Sequence, residues 1–152
     1  MKLGLYEDAE KDFLAAVKMF EVKDETGQGK YRLQYNLGIT YRKLGKYTES
    51  VEHLTKSIDH INNADRSAAY NYRGLSNFEN GSFSDAQKDF KKAIEISNPK
   101  IAVHYNNRGL ANYHMRLNDQ ALEDFNTAIA IETDDPDPSK NPNKSYQNYD
   151  QG

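Results

Sequence analysis

The 152-residue sequence predicts an all-α repeat solenoid, on three observations. Residues 70–78 read YNYRGLSNF and residues 105–113 read YNNRGLANY, with six of nine positions identical at a spacing of 35. Downstream of each shared glycine, small and aromatic residues recur at helical intervals: Ala86, Phe90 and Ala93 after Gly74, and Ala121, Phe125 and Ala128 after Gly109. The chain is also polar for a compact globule, 37% hydrophobic and 28% charged, yet 11 Tyr and 6 Phe supply large side chains to bury. That balance suits a thin, elongated fold with much surface per residue.

Periodicity places helices at 6–21, 31–43, 47–61, 65–79, 84–96, 100–115 and 119–131. The first carries Tyr6, Ala9, Phe13 and Ala16, the second half of the pattern without its first half. The next two, YNLGITYRKLGKYTESVEHLTKSI, carry it whole through Gly38, Tyr41, Gly45, Tyr47, Ser50, Leu54 and Ser57. Gly74, Gly81, Phe83 and Ala86 begin the following copy, and Gly109 and Ala121 the last. Ala9 to Ser50 is 41 residues, against 36 and 35 for the later intervals. The extra residues fall in VKDETGQGKYR, where they are expected to extend the loop and the adjoining helix ends. Residues 134–152, DDPDPSKNPNKSYQNYDQG, hold three prolines and little to bury, the composition of a disordered tail.

Over about residues 3–133 this pattern resembles the tetratricopeptide repeat, an aromatic, Leu-Gly, Tyr and Ala-x₃-Phe in phase several times over. The resemblance implies a right-handed superhelical solenoid of antiparallel helix pairs, A then B. It divides the chain into a half repeat at 1–22 (helix B only), repeats at 30–63, 64–98 and 99–133, and the tail. The longer first interval resembles, more weakly, the repeats of kinesin light chains and spindle-orientation adaptors. Gly38, Gly74 and Gly109 each cost a helix about 1 kcal/mol relative to Ala. Close approach to the small helix-B residue, Ser50, Ala86 or Ala121, is the expected compensation, with Phe90 and Phe125 filling the space between repeats. Several positions depart from the family: Asn77 and Asn112 stand where Tyr41 keeps the aromatic, Ser50 and Ser57 replace alanines, and Arg116 replaces the turn glycine. Repeat arrays end in polar capping helices, and neither end here has one: either the chain is a piece of a longer protein, the favoured expectation, or a partner covers the ends.

In this family the A helices line the concave surface, so the resemblance implies a peptide-binding groove formed by Tyr35, Ile39 and Arg42, then Asn71, Leu75 and Phe78, then Asn106, Leu110 and Tyr113. Arg32, Ala68 and Val103 add one position each. Side-chain amides can hold the backbone of an extended peptide, and the leucine and aromatic neighbours add apolar contact. The Hsp70/Hsp90 carboxylate clamp is not expected: its positions fall on Tyr35, Ile39, Tyr72, Val103 and Asn107. Arg73 and Arg108 are expected to lay their stems along the helix pair, with each guanidinium reaching water or a nearby carboxylate.

No catalytic constellation, cofactor or metal site is expected. His53, His60, His104 and His114 include no i,i+4 pair, and there is no cysteine. GQGK lacks the upstream Gly and the Ser or Thr of a phosphate loop. The carboxylate runs YEDAEKDF and LEDF look like exposed helix faces. A net charge of −3 offers no nucleic-acid footprint, and no apolar run suits a membrane span or signal peptide. The glycosylation sequons at Asn80 and Asn143 are then accidental. The expected protein is intracellular, in the cytoplasm, and binds a protein or peptide partner. Two alternatives remain open at this stage: a structural segment of a large assembly, held by its ends and convex face in a ciliary or cytoskeletal setting, and a regulatory domain of a longer enzyme.

Overall fold

A computed structural model describes residues 2–23 and 28–134. Among them are seven helices: α1 (Lys2–Lys23), α2 (Gln28–Lys43), α3 (Tyr47–Ile58), α4 (Asn63–Glu79), α5 (Phe83–Ile96), α6 (Ala102–His114) and α7 (Asn118–Asp134). The expected tail lies outside the described residues, apart from Asp134 at the end of α7. The longer first interval lengthens both flanking helices: α1 continues to Lys23, beyond the expected end at 21, and α2 starts at Gln28, ahead of the expected 31. α3 ends at Ile58, not at residue 61 as the periodicity suggests. Arg66 serves that end, its guanidinium donating to the Ile58 and Ile61 carbonyls at 2.9 and 3.1 Å in place of a further helical turn. α4 starts where Asn62 caps it, accepting from the Asp65 amide at 2.9 Å.

Each helix packs most closely on its chain neighbour, and α2–α3, α4–α5 and α6–α7 form the tightest pairs. The pairs stack into an all-α solenoid. α2 also meets α4, and α4 meets α6, whereas α3, α5 and α7 do not approach one another to a comparable extent. The A helices therefore form the inner layer. The turns within the pairs share one geometry, with positive φ at Gly45 (76°), Gly81 (81°) and Arg116 (61°). Arg116 holds a left-handed conformation that glycine adopts without a Cβ penalty.

The core lies between the layers, around Leu54, Ile58, Ile61 and Ala69 and around Ala86, Phe90 and Ala111. The helix-A glycines are explained, but not by the expected small partners. A Cβ on Gly38 would lie 2.5 Å from Leu54 Cγ, one on Gly74 2.6 Å from Phe90 Cε1, and one on Gly109 2.7 Å from Phe125 Cε1. It is the large residue, four positions after Ser50, Ala86 or Ala121, that occupies the missing side chain's space. The serines that replace alanines are satisfied as well: Ser50 Oγ lies 2.7 Å from Ser76 Oγ, and Ser57 Oγ donates to the Leu54 carbonyl.

A polar seam joins α4, α5 and α6. Ser67 Oγ lies 2.6 Å from Ser97 Oγ, and Ser97 Oγ lies 3.0 Å from Nδ1 of buried His104. Burial pushes the His104 imidazole below its ordinary value, and burial first, then Lys56, does the same to His53. A depressed folded pKa means that the unfolded chain takes up protons first. This contribution to stability is full above about pH 6.5 and falls away as pH drops below that value. Denaturant unfolding at pH 7.5 and 5.5 should show the loss, and His104→Gln should flatten the pH slope. An unchanged slope would remove His104 as a source of the acid sensitivity.

Candidate interaction surface

The nine expected groove residues lie on the inner layer in three differing environments. On α2, Tyr35, Ile39 and Arg42 are half-buried. The Tyr35 ring stands edge-on to Tyr72 at 6.1 Å, and the Arg42 guanidinium lies 5.9 Å over the same Tyr72 ring. Burial, then Tyr72 and Asp65, push the Tyr35 phenol up to about 12, so it remains a neutral donor at physiological pH. On α4, Leu75 and Phe78 pack onto the Ala86–Phe90–Ala111 cluster. Asn71 accepts from Asn107 Nδ2 at 2.9 Å. On α6, Asn106, Leu110 and Tyr113 are exposed.

The expected neighbours are thus only partly brought together. Asn71 pairs with Asn107, because Asn106 turns outward one residue earlier on the helix. Tyr72 links α2 to α4, and His114 links α4 to α6, its ring 5.1 Å from Phe78 and stacked 4.6 Å from Phe83. The expectation named none of these three as groove residues, although the clamp register had already aligned Tyr72 and Asn107. Of the additional positions, Arg32 pairs with Asp65 at 3.0 Å, Ala68 is half-buried and Val103 is exposed.

The repeated motif has a second, structural content. Arg73 donates to both carboxylate oxygens of Asp89 (3.0 and 2.6 Å), Asn77 donates to the same carboxylate, and Arg73 lies 5.3 Å over Tyr70. Thirty-five residues on, Arg108, Asp124, Asn112 and Tyr105 repeat the arrangement at 2.9 and 2.6 Å, with the ring at 5.7 Å. Each guanidinium therefore meets a carboxylate as expected. At Arg73 burial opposes the charge most strongly but is outweighed by the hydrogen bonds and charge of Asp89 together, and at Arg108 the hydrogen bonds to Asp124 lead over burial, so both arginines stay above the ordinary value. The expectation that LEDF is an exposed face is corrected at Asp124. That residue and Asp89 are buried, because Arg and Asn together satisfy their oxygens. In the first complete pair the same positions are Gln34, Leu37, Tyr41 and His53. There His53 stacks on Tyr41 at 5.0 Å and hydrogen-bonds Gln34, and Leu37 is fully buried. All four positions change together between the two solutions, and the substitution of Tyr41 by Asn77 and Asn112 is one part of that change.

Among the described residues no three histidines or carboxylates group as metal ligands, and no helix is long and apolar enough to cross a membrane. The sequence matches the tetratricopeptide-repeat family over residues 31–59 and again over 72–138, more than half of the chain between them. It belongs to that family, a family of protein-interaction scaffolds. No curated protein matches the sequence. Among solved structures it is similar to BtubC (BKLC) from P. vanneervenii, with TM-score 0.77 and 15% identity over 86% of this chain and 57% of that one. It is similar to MamA from Desulfovibrio magneticus RS-1, with TM-score 0.73 and 17% identity over 90% and 71%. It also resembles a Podosopora anserina protein with kinesin light chain "nearly identical TPR-like repeats", at TM-score 0.74 and 15% identity over 88% and 70%. At these identities the likeness is one of fold.

Proposed function

We propose that this chain is a non-catalytic docking module that holds an extended segment of another protein across the inner faces of α2, α4 and α6. One observation carries the reading: Val103, Leu110 and Tyr113 share a stripe of α6 and remain 48%, 39% and 61% exposed. Large apolar side chains aligned on one face mark a contact surface more often than scattered ones do. Leu75 and Phe78 continue it onto α4, and Asn106 supplies an exposed amide beside it. Asn71 is a poorer ligand group, since Asn107 already occupies its oxygen.

A second reading has its own support. On α7, Leu122 and Ile129 are 61% and 58% exposed, beside a shallow apolar depression of about 580 Å³ that includes Asn126, Thr127 and Ala130. That face suits a structural segment held at its end within a larger assembly. The two readings separate by panning a peptide-display library on the immobilised protein and measuring the affinity of the selected peptides. Leu110→Ser/Tyr113→Ser should weaken binding at least tenfold with helicity unchanged, whereas Leu122→Ser/Ile129→Ser should not. Affinity lost only in the α7 variant would replace the first reading by the second.

A further inference from the structure

Charge is divided between the layers. α2, α4 and α6 together carry seven lysines and arginines against two carboxylates, whereas α3, α5 and α7 carry four lysines against ten carboxylates. The modest net charge of −3 therefore conceals a basic inner layer and an acidic outer one. Most inner arginines are already engaged. Arg32 holds Asp65, Arg66 donates to the end of α3, and Arg73 and Arg108 hold Asp89 and Asp124. Arg42 differs. Its guanidinium rests on the Tyr72 ring, and its Nε is buried with no hydrogen-bond partner among the described residues. A buried guanidinium donor without an acceptor is unfavourable and uncommon. The two carboxylates of the inner layer are both on α4, where Asp65 is held by Arg32 and Glu79 forms no ion pair with Arg42.

On the docking reading above, we infer that the inner face between α2 and α4 is a subsite for an aspartate or glutamate of the bound segment, with the terminal nitrogens of Arg42 as donors, since its Nε is closed off, and Tyr72 and Tyr35 as walls. The partner is then an acidic, extended polypeptide that also carries an apolar residue for the Val103–Leu110–Tyr113 stripe. The spacing follows from geometry. Packed helices lie about 8–10 Å apart, so α2 and α6 are roughly 20 Å apart, and an extended chain rising about 3.3 Å per residue covers that in about six residues. An internal side chain is favoured over a terminal carboxylate, because Arg42 stands beside tyrosines and without the further cations that would match a chain end. Because Arg42 loses no ion pair and only the contact with the Tyr72 ring, its replacement should cost folding little.

The test uses the full chain, panned with a random dodecapeptide library flanked on both sides by neutral sequence. Enriched peptides should pair Asp or Glu with a Leu, Ile, Val, Phe or Tyr five to seven positions away. Arg42→Gln, still folded by its melting transition, should bind them about tenfold more weakly and no longer distinguish a peptide from its Asp→Asn analogue. Binding to wild type should also weaken as salt rises. Peptides that need Leu110 and Tyr113 but show no acidic preference, or that bind Arg42→Gln as well as wild type, would overturn this subsite and leave the docking reading intact. Peptides indifferent to Leu110→Ser/Tyr113→Ser, or no enriched peptide at all, would overturn both.

Discussion

Asp124→Ala should lower stability by about 3 kcal/mol, a fall of roughly 10 °C in Tm for a chain of this size. The side chain of Asp124 is 4% exposed and accepts from both Arg108 and Asn112, so its removal strands two donors at once. Arg108 is 24% exposed and can turn partly to water, which keeps the loss at the lower end of the range for breaking a buried pair. The measurement is denaturant unfolding of wild type and variant. A loss under about 1 kcal/mol, the value of an exposed pair, would show that the arrangement contributes little to folding.

The chain itself contains the control. Its first helix pair fills the same four positions with Gln34, Leu37, Tyr41 and His53 and has no ion pair there. Transplanting that set onto the last pair, as Tyr105→Gln, Arg108→Leu, Asn112→Tyr and Asp124→His together, should cost less than Asp124→Ala alone. Replacing a complete buried pair by packed groups is often close to neutral, whereas removing one member is not. A quadruple variant that loses more than the single one would mean that the two solutions are not interchangeable modules. The Gln87 bond to Asn112, at 3.1 Å, is the contact most at risk.

The fold was legible because its signals are local and repeated. Gly45 and Gly81 mark turns whose φ is positive, and the glycines of the A helices mark close contacts. Legibility failed where one position has two plausible partners in space. Spacing alone puts Gly74 beside either Ala86 or Phe90, one turn apart on α5, and only the relative shift of the two helices decides for Phe90. LEDF failed for a related reason. Adjacent residues of a helix face differently, so Glu123 is exposed while Asp124 is buried. Burial of the latter depends on an arginine 16 residues away. On the inner faces of α2, α4 and α6 the helix positions were legible but the engagement of the side chains was not. Asn71 and Asn106 occupy corresponding positions, yet one is bound by Asn107 and the other faces solvent, because α6 has no following A helix among the described residues.

Gly74→Leu should be at least as damaging as the loss of Asp124, about 3 kcal/mol or more. A Cβ at residue 74 would lie 2.6 and 2.8 Å from two atoms of the Phe90 ring, which is fully buried and backed by Ala86 and Ala111. The ring has no free end to swing aside, so the strain passes to the packing of α4 on α5. Helix propensity predicts the opposite sign for the milder Gly74→Ala, a gain of about 1 kcal/mol. The contact should outweigh that gain and leave a net loss of about 1 kcal/mol or more. Gly4 on α1 separates the two effects: a Cβ there meets nothing within 4 Å, so Gly4→Ala should stabilise by up to about 1 kcal/mol. Gly74→Ala/Phe90→Leu should recover part of the loss, since removing the ring opens the space the new methyl needs. Opposite signs for alanine at residues 4 and 74 would establish close packing as the reason for the helix-A glycine. Equal gains at both would remove close packing as that reason.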